Sequence, residues 1–277
     1  MTKAALVQMT STDDPVFNLG SLSDALTQAA AQGAEFVLTP EVSNCLSSSR
    51  THQEQVLRLE EEDQTLSAIA TQAQALGVWV LLGSLAVKTG DADGRYANRS
   101  FLIGPEGHVK ARYDKIHMFD VQVTPEETYR ESDGYRPGSR AVVAQTPFGT
   151  LGLSICYDIR FPHLYQALAE AGAQILTIPA AFSPVTGAAH WHALLQARAI
   201  ETGCYVLAPA QTGTHPTTRG KQRSTFGHSL VVSPWGEVLV DAGTAPGIHL
   251  FDLDVTKVAE ARRRVPSRQN KRTFDGP

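Results

Sequence analysis

Short apolar runs alternate along the chain with longer stretches in which apolar residues recur at helical spacing. In the first half, Leu22, Leu26 and the alanines after them predict a helix over residues 19–31, which Gly33 ends. A second predicted helix covers residues 64–76, and predicted strands lie at residues 5–8, 36–38, 78–85, 99–103 and 108–113. In the second half, predicted helices lie near residues 162–171 and 188–202, and predicted strands at 151–155, 175–178, 205–209, 229–232 and 238–240.

The two halves of the chain echo each other. Three short segments of the first half recur in the second half with similar glycine, proline and apolar positions. In order, the matching pairs are residues 33–40 and 172–179, 77–81 and 203–207, and 100–107 and 229–236. Each match is short, but because the order is preserved we interpret the pattern as an internal duplication.

Alternation of strands and helices, followed by strands around Pro-x-Gly turns, predicts the α/β class. Two sheets packed against each other, with helices on their outer faces, would form a four-layer α/β/β/α sandwich with a pseudo-two-fold duplication. No linker-like stretch separates the halves, so we expect one domain over residues 1–277. The arginine- and lysine-rich tail, residues 262–277, is expected to cover an interface.

Composition and charge exclude several classes of protein. The net charge of −4 argues against a nucleic-acid partner or an anionic membrane surface. The longest apolar stretch, residues 78–87, is shorter than the roughly 18 residues of a membrane span. The three cysteines are too few and too scattered for a disulfide framework, and no secretory leader is recognisable at the N-terminus. We therefore expect a cytoplasmic protein that acts on a small molecule.

Cys156 is the candidate nucleophile among the three cysteines. It follows a predicted strand and precedes a helix that begins at Pro162, so the next backbone N–H groups are free to donate. A nucleophilic thiol needs a base, and Glu41 lies at the equivalent strand end of the first half. Glu41 suits that role only if burial raises its pKa towards neutrality. Taken singly, Cys156 fits a buried structural cysteine, and Glu41 and Lys115 fit surface charges.

Three ordered motifs give a more specific interpretation. Pro40-Glu41, Lys115-Ile-His-Met-Phe-Asp120 and Cys156-Tyr-Asp-Ile-Arg-Phe-Pro162 resemble the signatures of the nitrilase superfamily of carbon–nitrogen hydrolases. Further blocks at residues 180–191, 197–205 and 227–236 resemble its Nit branch. The resemblance covers nearly the whole chain, and it implies an α/β/β/α fold that assembles into a homodimer or a higher homo-oligomer.

The resemblance implies amide hydrolysis through a thioester, with release of a carboxylate and ammonia. Glu41 resembles the general base, Cys156 the nucleophile and Lys115 the cation beside the tetrahedral intermediate. The backbone N–H of Tyr157 would complete the oxyanion hole. The family often adds a second glutamate, for which Glu131 is preferred over two nearby rivals, Glu126 and Glu127.

The resemblance also narrows the substrate. Residues 211–215, Arg219, the 227–229 block and the 263–266 segment look more like amidases for deaminated glutathione than like ω-amidases. The alternative is an ω-amidase acting on 2-oxoglutaramate or 2-oxosuccinamate, or an enzyme for another small aliphatic amide. These 2-oxo acid substrates carry carboxylates, so a cation should line the pocket. The candidates for substrate contacts are Arg160, which an ion pair would explain equally well, and Thr186, His190 and Trp191.

Other classes fit the sequence less well. A non-catalytic relative would have lost Glu41, Lys115 or Cys156, and all three are present. A thiol hydrolase with a Cys–His pair would need a base beside Cys156, and His163 is expected to face elsewhere. His190 and His192 lie two apart on a predicted helix and point to different faces. With no zinc-type spacing and no phosphate-binding loop, the sequence implies neither a metal nor a cofactor.

Overall fold

The computed structural model describes residues 1–125 and 127–276. Strands and helices alternate through much of the chain. In order they are β1 (Thr2–Gln8), α1 (Pro15–Ala31), β2 (Phe36–Leu38), α2 (Arg50–Val56), α3 (Gln64–Leu76), β3 (Trp79–Lys88), β4 (Tyr96–Ile103), β5 (Val109–Asp114), β6 (Asp120–Thr124), β7 (Glu127–Arg130), β8 (Val142–Thr146), β9 (Gly149–Leu153), α4 (Pro162–Glu170), β10 (Ile175–Thr177), α5 (Pro184–Thr202), β11 (Tyr205–Ala208), β12 (Thr212–His215), β13 (Arg223–Phe226), β14 (Leu230–Val232), β15 (Val238–Asp241), β16 (Gly247–Leu253) and α6 (Thr256–Arg264).

Two six-stranded sheets of the same design dominate the described residues. Their strand orders are β16-β1-β2-β3-β4-β5 and β8-β9-β10-β11-β14-β15. In each sheet the second, third and fourth strands are parallel, and the flanking strands are antiparallel. The segments that echo each other in the sequence therefore occupy matching positions in the two sheets, which confirms the predicted duplication.

Alternate residues of the strands face two different layers. In β1, Ala4 and Leu6 belong to a cluster shared with strands of the second sheet, whereas Ala5 and Val7 pack with α1 and α3. This alternation follows from the two-residue period of a strand. The predicted four-layer α/β/β/α sandwich is therefore confirmed, with one apolar core between the sheets and helices outside.

Local sequence accounts for the ends of the helices. Helix α3 starts after Asp63, whose carboxylate accepts a hydrogen bond from the Leu66 N–H at 2.9 Å, and it ends at Gly77 in the left-handed conformation. Its bounds agree with the prediction. Helix α1 starts four residues earlier than predicted, because Asp14 caps it and Pro15 begins it before the apolar spacing starts.

Several elements were not named from the sequence. They include the hairpins β6–β7 and β12–β13 and the strand β16, which pairs antiparallel with β1. The pairing of β16 with β1 places the last and the first strand of the described residues side by side in the first sheet. Among the helices of the described residues, none combines the length and the apolar character that crossing a membrane requires.

Candidate active site

Three ionisable side chains that are far apart in sequence meet where strands of the two sheets end. Glu41 follows β2, Lys115 follows β5, and Cys156 follows β9. They expose only 4%, 2% and 6% of their surface, respectively. Lys115 Nζ lies 2.9 Å from Glu41 Oε1, and, beyond the effect of burial, the Glu41 carboxylate is close enough to Cys156 to raise the pKa of its thiol. The structure thus brings together the three residues predicted to be base, cation and nucleophile.

Glu131 completes the surroundings of Lys115. Lys115 Nζ donates hydrogen bonds to both carboxylate oxygens of Glu131, each at 2.9 Å. The backbone N–H of Phe119 donates to Glu131 Oε2 at 2.6 Å, which fixes the carboxylate. The Lys115 ammonium therefore lies between the buried carboxylate of Glu41 and the half-buried carboxylate of Glu131, and both fix its position.

The rivals of Glu131 do not share this position in the described residues. Glu127 accepts hydrogen bonds from the hydroxyls of Tyr129, at 2.6 Å, and Ser183, at 2.8 Å. Glu126 lies outside the described residues. The geometry therefore favours Glu131 as the second glutamate beside the lysine.

Every hydrogen bond to Glu41 favours its ionised form. Oε1 accepts from Asn98 Nδ2 at 2.8 Å in addition to Lys115, and Oε2 accepts from the backbone N–H of Ala181 at 2.8 Å. Burial is the largest influence and would raise the pKa of Glu41, but the Lys115 ammonium, the charge of Arg223 and the hydrogen bonds together lower it below its ordinary value. The condition set from the sequence for Glu41 as a base, a pKa raised towards neutrality by burial, is therefore not met in the site without substrate.

The pKa values of Cys156 and Lys115 shift in the direction opposite to that of Glu41. Burial, followed by the Glu41 carboxylate, raises the pKa of the Cys156 thiol, with Lys115 opposing the rise. Burial disfavours the Lys115 ammonium, but the carboxylates of Glu131 and Glu41 outweigh it and hold the pKa of Lys115 well above its usual range. At neutral pH the site therefore holds a neutral thiol, an ammonium and a carboxylate at Glu41, and the groups titrate together.

The nucleophile lies on a strained turn. Cys156 adopts a φ of 48° at the start of a short helical turn, Cys156–Arg160, between β9 and α4. Asp158 is buried in that turn and accepts hydrogen bonds from the Tyr113 hydroxyl at 2.6 Å and the backbone N–H of His117 at 3.0 Å. These bonds tie the nucleophile's turn to the loop that carries the lysine.

Tyr157 is placed where an oxyanion donor would be needed. The Cys156 N–H donates to the carbonyl of Pro179 at 2.9 Å, whereas the Tyr157 N–H has no acceptor within residues 1–125 and 127–276. An unsatisfied N–H is ordinary at the start of a helical turn. Because Tyr157 also lines the adjoining cavity, the predicted oxyanion function is compatible with the geometry.

The side chains of this candidate site open onto a cavity of about 430 Å³. Glu41, Lys115, Glu131 and Cys156 all line it. The two hairpins that the sequence did not reveal form part of its wall. They contribute Thr128, Tyr129 and Arg130 from β7, and His215 and Arg223 from β12 and β13.

The predicted substrate contacts of Arg160, Thr186, His190 and Trp191 are not supported, because none of these residues lines this cavity. Arg160 Nη2 and His190 Nδ1 lie 3.1 Å apart in an exposed pair. Trp191 is fully buried, and its indole N–H donates to the carbonyl of His228 at 2.8 Å. Helix α5 belongs to an outer layer, where it packs against the second sheet, the hairpin strand β13 and α4.

Two functional residues escaped the sequence analysis. Asn98 holds Glu41 from β4, where it is the first of three consecutive polar residues, Asn98-Arg99-Ser100, so the sequence does not distinguish it. Ala181 contributes only a backbone N–H, which no residue type can signal. Both contacts depend on how the ends of different strands are placed in space.

One group of possible metal ligands lies elsewhere in the described residues. The ligand atoms of His192, His228 and Asp241 lie within 4.8 Å of one another. Asp241 already accepts from His192 at 3.0 Å and from His228 at 2.8 Å. None of the three lines the cavity beside Cys156.

Comparison with known proteins agrees with this site. The family model of the Carbon-nitrogen hydrolase family matches residues 3–263. A Synechocystis protein named deaminated glutathione amidase is 40% identical over 270 residues, which cover 97% of each chain. The NitFhit protein of C. elegans superimposes with a TM-score of 0.90 and is 33% identical, covering 98% of this chain and 65% of that one.

An amidase from Nesterenkonia sp. AN1, whose structure shows acrylamide added to its active-site cysteine, has a TM-score of 0.77 and 26% identity, and the match covers 97% of this chain and 100% of that one. The chain therefore belongs to the carbon–nitrogen hydrolase family, within the nitrilase superfamily. It is a hydrolytic amidase, and the resemblance identified from its three motifs is confirmed.

Proposed function

We propose that this enzyme hydrolyses the amide bond of deaminated glutathione through a thioester on Cys156. The observation that carries the chemistry is the buried arrangement of Glu41, Lys115 and Glu131 beside a thiol at a strained turn. The substrate is supported by the 40% identity, over 97% of both chains, to a protein named deaminated glutathione amidase.

In the acylation step, the Glu41 carboxylate accepts the thiol proton as Cys156 Sγ attacks the amide carbon. The resulting oxyanion would be met by the Lys115 ammonium and the N–H of Tyr157. Glu41 then transfers its proton to the leaving nitrogen, the C–N bond breaks, and a thioester remains. Because its pKa is lowered, Glu41 is ionised at neutral pH and can accept a proton. It becomes a stronger base only when bound substrate excludes water and raises that pKa.

In the deacylation step, Glu41 accepts a proton from water as the water oxygen attacks the thioester carbon. Collapse of the second tetrahedral intermediate breaks the C–S bond, and the thiolate recovers its proton from Glu41. The carboxylic acid product leaves ionised. Across both steps Lys115 keeps its proton, since the two carboxylates hold its pKa well above the usual range.

The substrate determines the leaving group. Deaminated glutathione is a secondary amide that joins a five-carbon 2-oxo diacid to cysteinylglycine, so its hydrolysis releases the amine of that dipeptide and not ammonia. Only a primary amide such as 2-oxoglutaramate releases ammonia. The expectation of ammonia as the product therefore applies to the primary-amide alternatives, the ω-amidase substrates or another small aliphatic amide, and not to deaminated glutathione.

The cavity is compatible with the larger substrate. Its volume of about 430 Å³ lies within the range of sites for drug-sized ligands. Besides Lys115, its lining contains four cations, which suit a substrate with two carboxylates: Arg50, Arg130, Lys221 and Arg223.

The deciding experiment compares kcat/KM for deaminated glutathione, from cysteinylglycine release, with that for 2-oxoglutaramate, from ammonia release. Cys156→Ala provides the blank. We expect a preference of ~100-fold for deaminated glutathione, about 2.7 kcal/mol of transition-state binding. The reverse preference would make the enzyme an ω-amidase. No turnover of either above the blank would refute both substrates.

We further propose that residues 1–277 act as one catalytic domain, since both halves supply site residues, and that the chain forms a homodimer. Support for the dimer comes from an exposed apolar surface formed by Ile200, Trp235 and Val265. These residues border a second cavity of about 440 Å³ beside the C-terminal segment. Exposed apolar patches of this kind are typical of interfaces.

A further inference from the structure

Of the cations that line the cavity, Arg50, Arg130, Lys221 and Arg223 have no ion pair with a carboxylate among the described residues, and of these four Arg223 alone has a buried N–H without a hydrogen-bond partner. Lys115 is shared by two carboxylates. Arg50 donates to the carbonyls of Gly134 and Gly94, each at 3.0 Å, and lies over the Tyr96 ring. Arg223 is half-buried on β13 and has no carboxylate partner within residues 1–125 and 127–276.

The guanidinium of Arg223 is oriented by its neighbours and still has donor capacity. Its Nη2 donates to the carbonyl of Ala181, and its centre lies 5.3 Å from the Tyr129 ring. Its Nε is buried and has no hydrogen-bond partner among the described residues. A buried N–H of a charged group without an acceptor costs free energy, which a bound anion would recover.

The position of Arg223 connects it to the reacting groups. Ala181, whose carbonyl accepts from Arg223, donates its own N–H to Glu41 Oε2 at 2.8 Å. The guanidinium is also close enough to Glu41 to favour the ionised carboxylate. A ligand oxygen bound by Arg223 would therefore lie near the carbon that the Cys156 thiol attacks.

We propose that Arg223 forms the subsite for the 2-oxo carboxylate of the substrate, the function first expected of Arg160. The assignment rests on the proposed function. In a five-carbon 2-oxo diacid the carboxylate lies about 5 Å from the carbonyl carbon under attack, so its partner must stand close to the catalytic groups. A planar guanidinium with a free N–H matches a carboxylate in charge and geometry.

The test uses three substrates that differ by one carboxylate at a time. They are deaminated glutathione, its glycine carboxamide, and 4-oxopentanoyl-cysteinylglycine, which keeps the oxo group and lacks the neighbouring carboxylate. The variants are Arg223→Gln and Arg223→Lys. Arg219→Gln is the matched control, since Arg219 lies on the same segment but does not line the cavity. Circular dichroism verifies folding.

We expect Arg223→Gln to lower kcat/KM about 10- to 100-fold for the two substrates that keep the 2-oxo carboxylate. For 4-oxopentanoyl-cysteinylglycine the change should stay within about three-fold, Arg223→Lys should restore part of the loss, and Arg219→Gln should resemble the wild type.

Three other results would overturn the assignment. An equal loss on all three substrates would mean that Arg223 only holds the Ala181 backbone in place. If Arg223→Gln lowered kcat/KM for the other two substrates but not for the glycine carboxamide, Arg223 would instead bind the glycine carboxylate. A wild-type enzyme inactive on all three substrates would refute the proposed function itself, and the subsite with it.

Discussion

Backbone strain occurs at the predicted nucleophile and directly after the predicted base. Among the described residues other than glycine, a positive φ occurs at Val42, Cys156 and His228, with values of 47°, 48° and 54°. This region is especially unfavourable for a β-branched residue such as Val42. Val42 directly follows Glu41, and its N–H donates to Ser84 Oγ at 2.8 Å. The predicted base and the predicted nucleophile thus both lie at strained turns that surrounding contacts hold in place.

Glu131→Gln tests whether the second carboxylate matters to catalysis. Removing its charge weakens two hydrogen bonds to Lys115 and leaves Glu41 as the ammonium's sole carboxylate partner among the described residues. Charge-assisted hydrogen bonds contribute about 1.5–3 kcal/mol, so kcat should fall about 10- to 100-fold while the fold persists. Steady-state kinetics measures the loss, with the exposed Glu237→Gln as control. An unchanged kcat would argue against this function of Glu131.

His215 predicts a pH dependence of stability. Its Nδ1 donates to the carbonyl of Ser11 at 2.8 Å and its Nε2 accepts from Thr225 at 2.7 Å. Burial lowers its pKa to about 4. Below pH ~6.5, His215 binds a proton in the unfolded chain but stays neutral in the folded chain. The free energy of unfolding therefore decreases as the pH falls from ~6.5 towards 4.

Between pH 7 and 5 this single group should cost the folded state about 2 kcal/mol. Urea unfolding at both pH values measures the free energy of unfolding, for the wild type and for His215→Gln. The variant should be less stable at pH 7 and should lose less on acidification. Equal losses in both proteins would contradict the pKa shift.

At the scale of elements, the carboxyl ends of the strands determine where chemistry can occur. The chain turns sharply after β2 and β9, and a bulge in β3 at residues 83–84 supports the first of these turns. Two backbone hydrogen bonds join the bulge to the segment after β2. The N–H of Ser84 donates one, at 3.2 Å, and the N–H of Ser43 donates the other, at 2.9 Å. The base is therefore held by a neighbouring strand of its own sheet.

Gly83→Ala should damage this support. A Cβ there would meet the Thr39 carbonyl oxygen at 1.9 Å and Pro179 Cβ at 2.5 Å, so strand ends of both sheets would have to move. We expect a loss of about 1–3 kcal/mol of stability, as for overpacked cores, and a lower kcat because Glu41 shifts.

Thermal and urea unfolding check the effect of Gly83→Ala. Gly20→Ala is the control, since a methyl group added to Gly20 in α1 would have nothing within 4 Å of it. That exposed helical substitution should stabilise by about 0.5–1 kcal/mol. A Gly83→Ala variant as stable and active as the wild type would show that the close packing at the strand ends supports neither stability nor catalysis.

At the scale of the whole molecule, the C-terminal segment packs onto the second half. Arg262 of α6 donates to the carbonyls of Ala173, at 2.6 Å, and Thr202, at 3.2 Å. Arg264 lies 3.8 Å from the Trp235 ring. Part of the basic tail is therefore bound to its own chain, and the apolar residues beside it stay exposed.

Ile200→Glu tests the proposed dimer. Ile200 is 59% exposed on the last turn of α5, and a charge there would be buried in an interface formed by this surface. We expect the wild type to have the mass of a dimer by light scattering after size exclusion, and the variant that of a monomer.

Val16→Glu is the matched control, since Val16 is 73% exposed on α1 and lies outside that surface. It should leave the mass unchanged. A wild-type chain that is monomeric at all concentrations would contradict the proposal, and dimers in both variants would place the interface elsewhere.

The sequence alone determined the local elements and the reactive residue types. Helix α3 was predicted at its observed bounds because apolar spacing, an aspartate cap and a terminal glycine are all local. The duplication was readable because both halves repeat the same strand-ending residues. The three motifs identified Glu41, Lys115 and Cys156, since these residue types define the chemistry of the family.

Only the tertiary structure decided how distant residues meet. It paired β16 with β1, formed the two hairpins beside the cavity, and brought Asn98 and the Ala181 N–H to Glu41. It also lowered the pKa of Glu41, which burial alone would have raised, and placed Arg223, not Arg160, at the cavity. Charge interactions depend on distances through space, and periodicity along a chain contains no information about those distances.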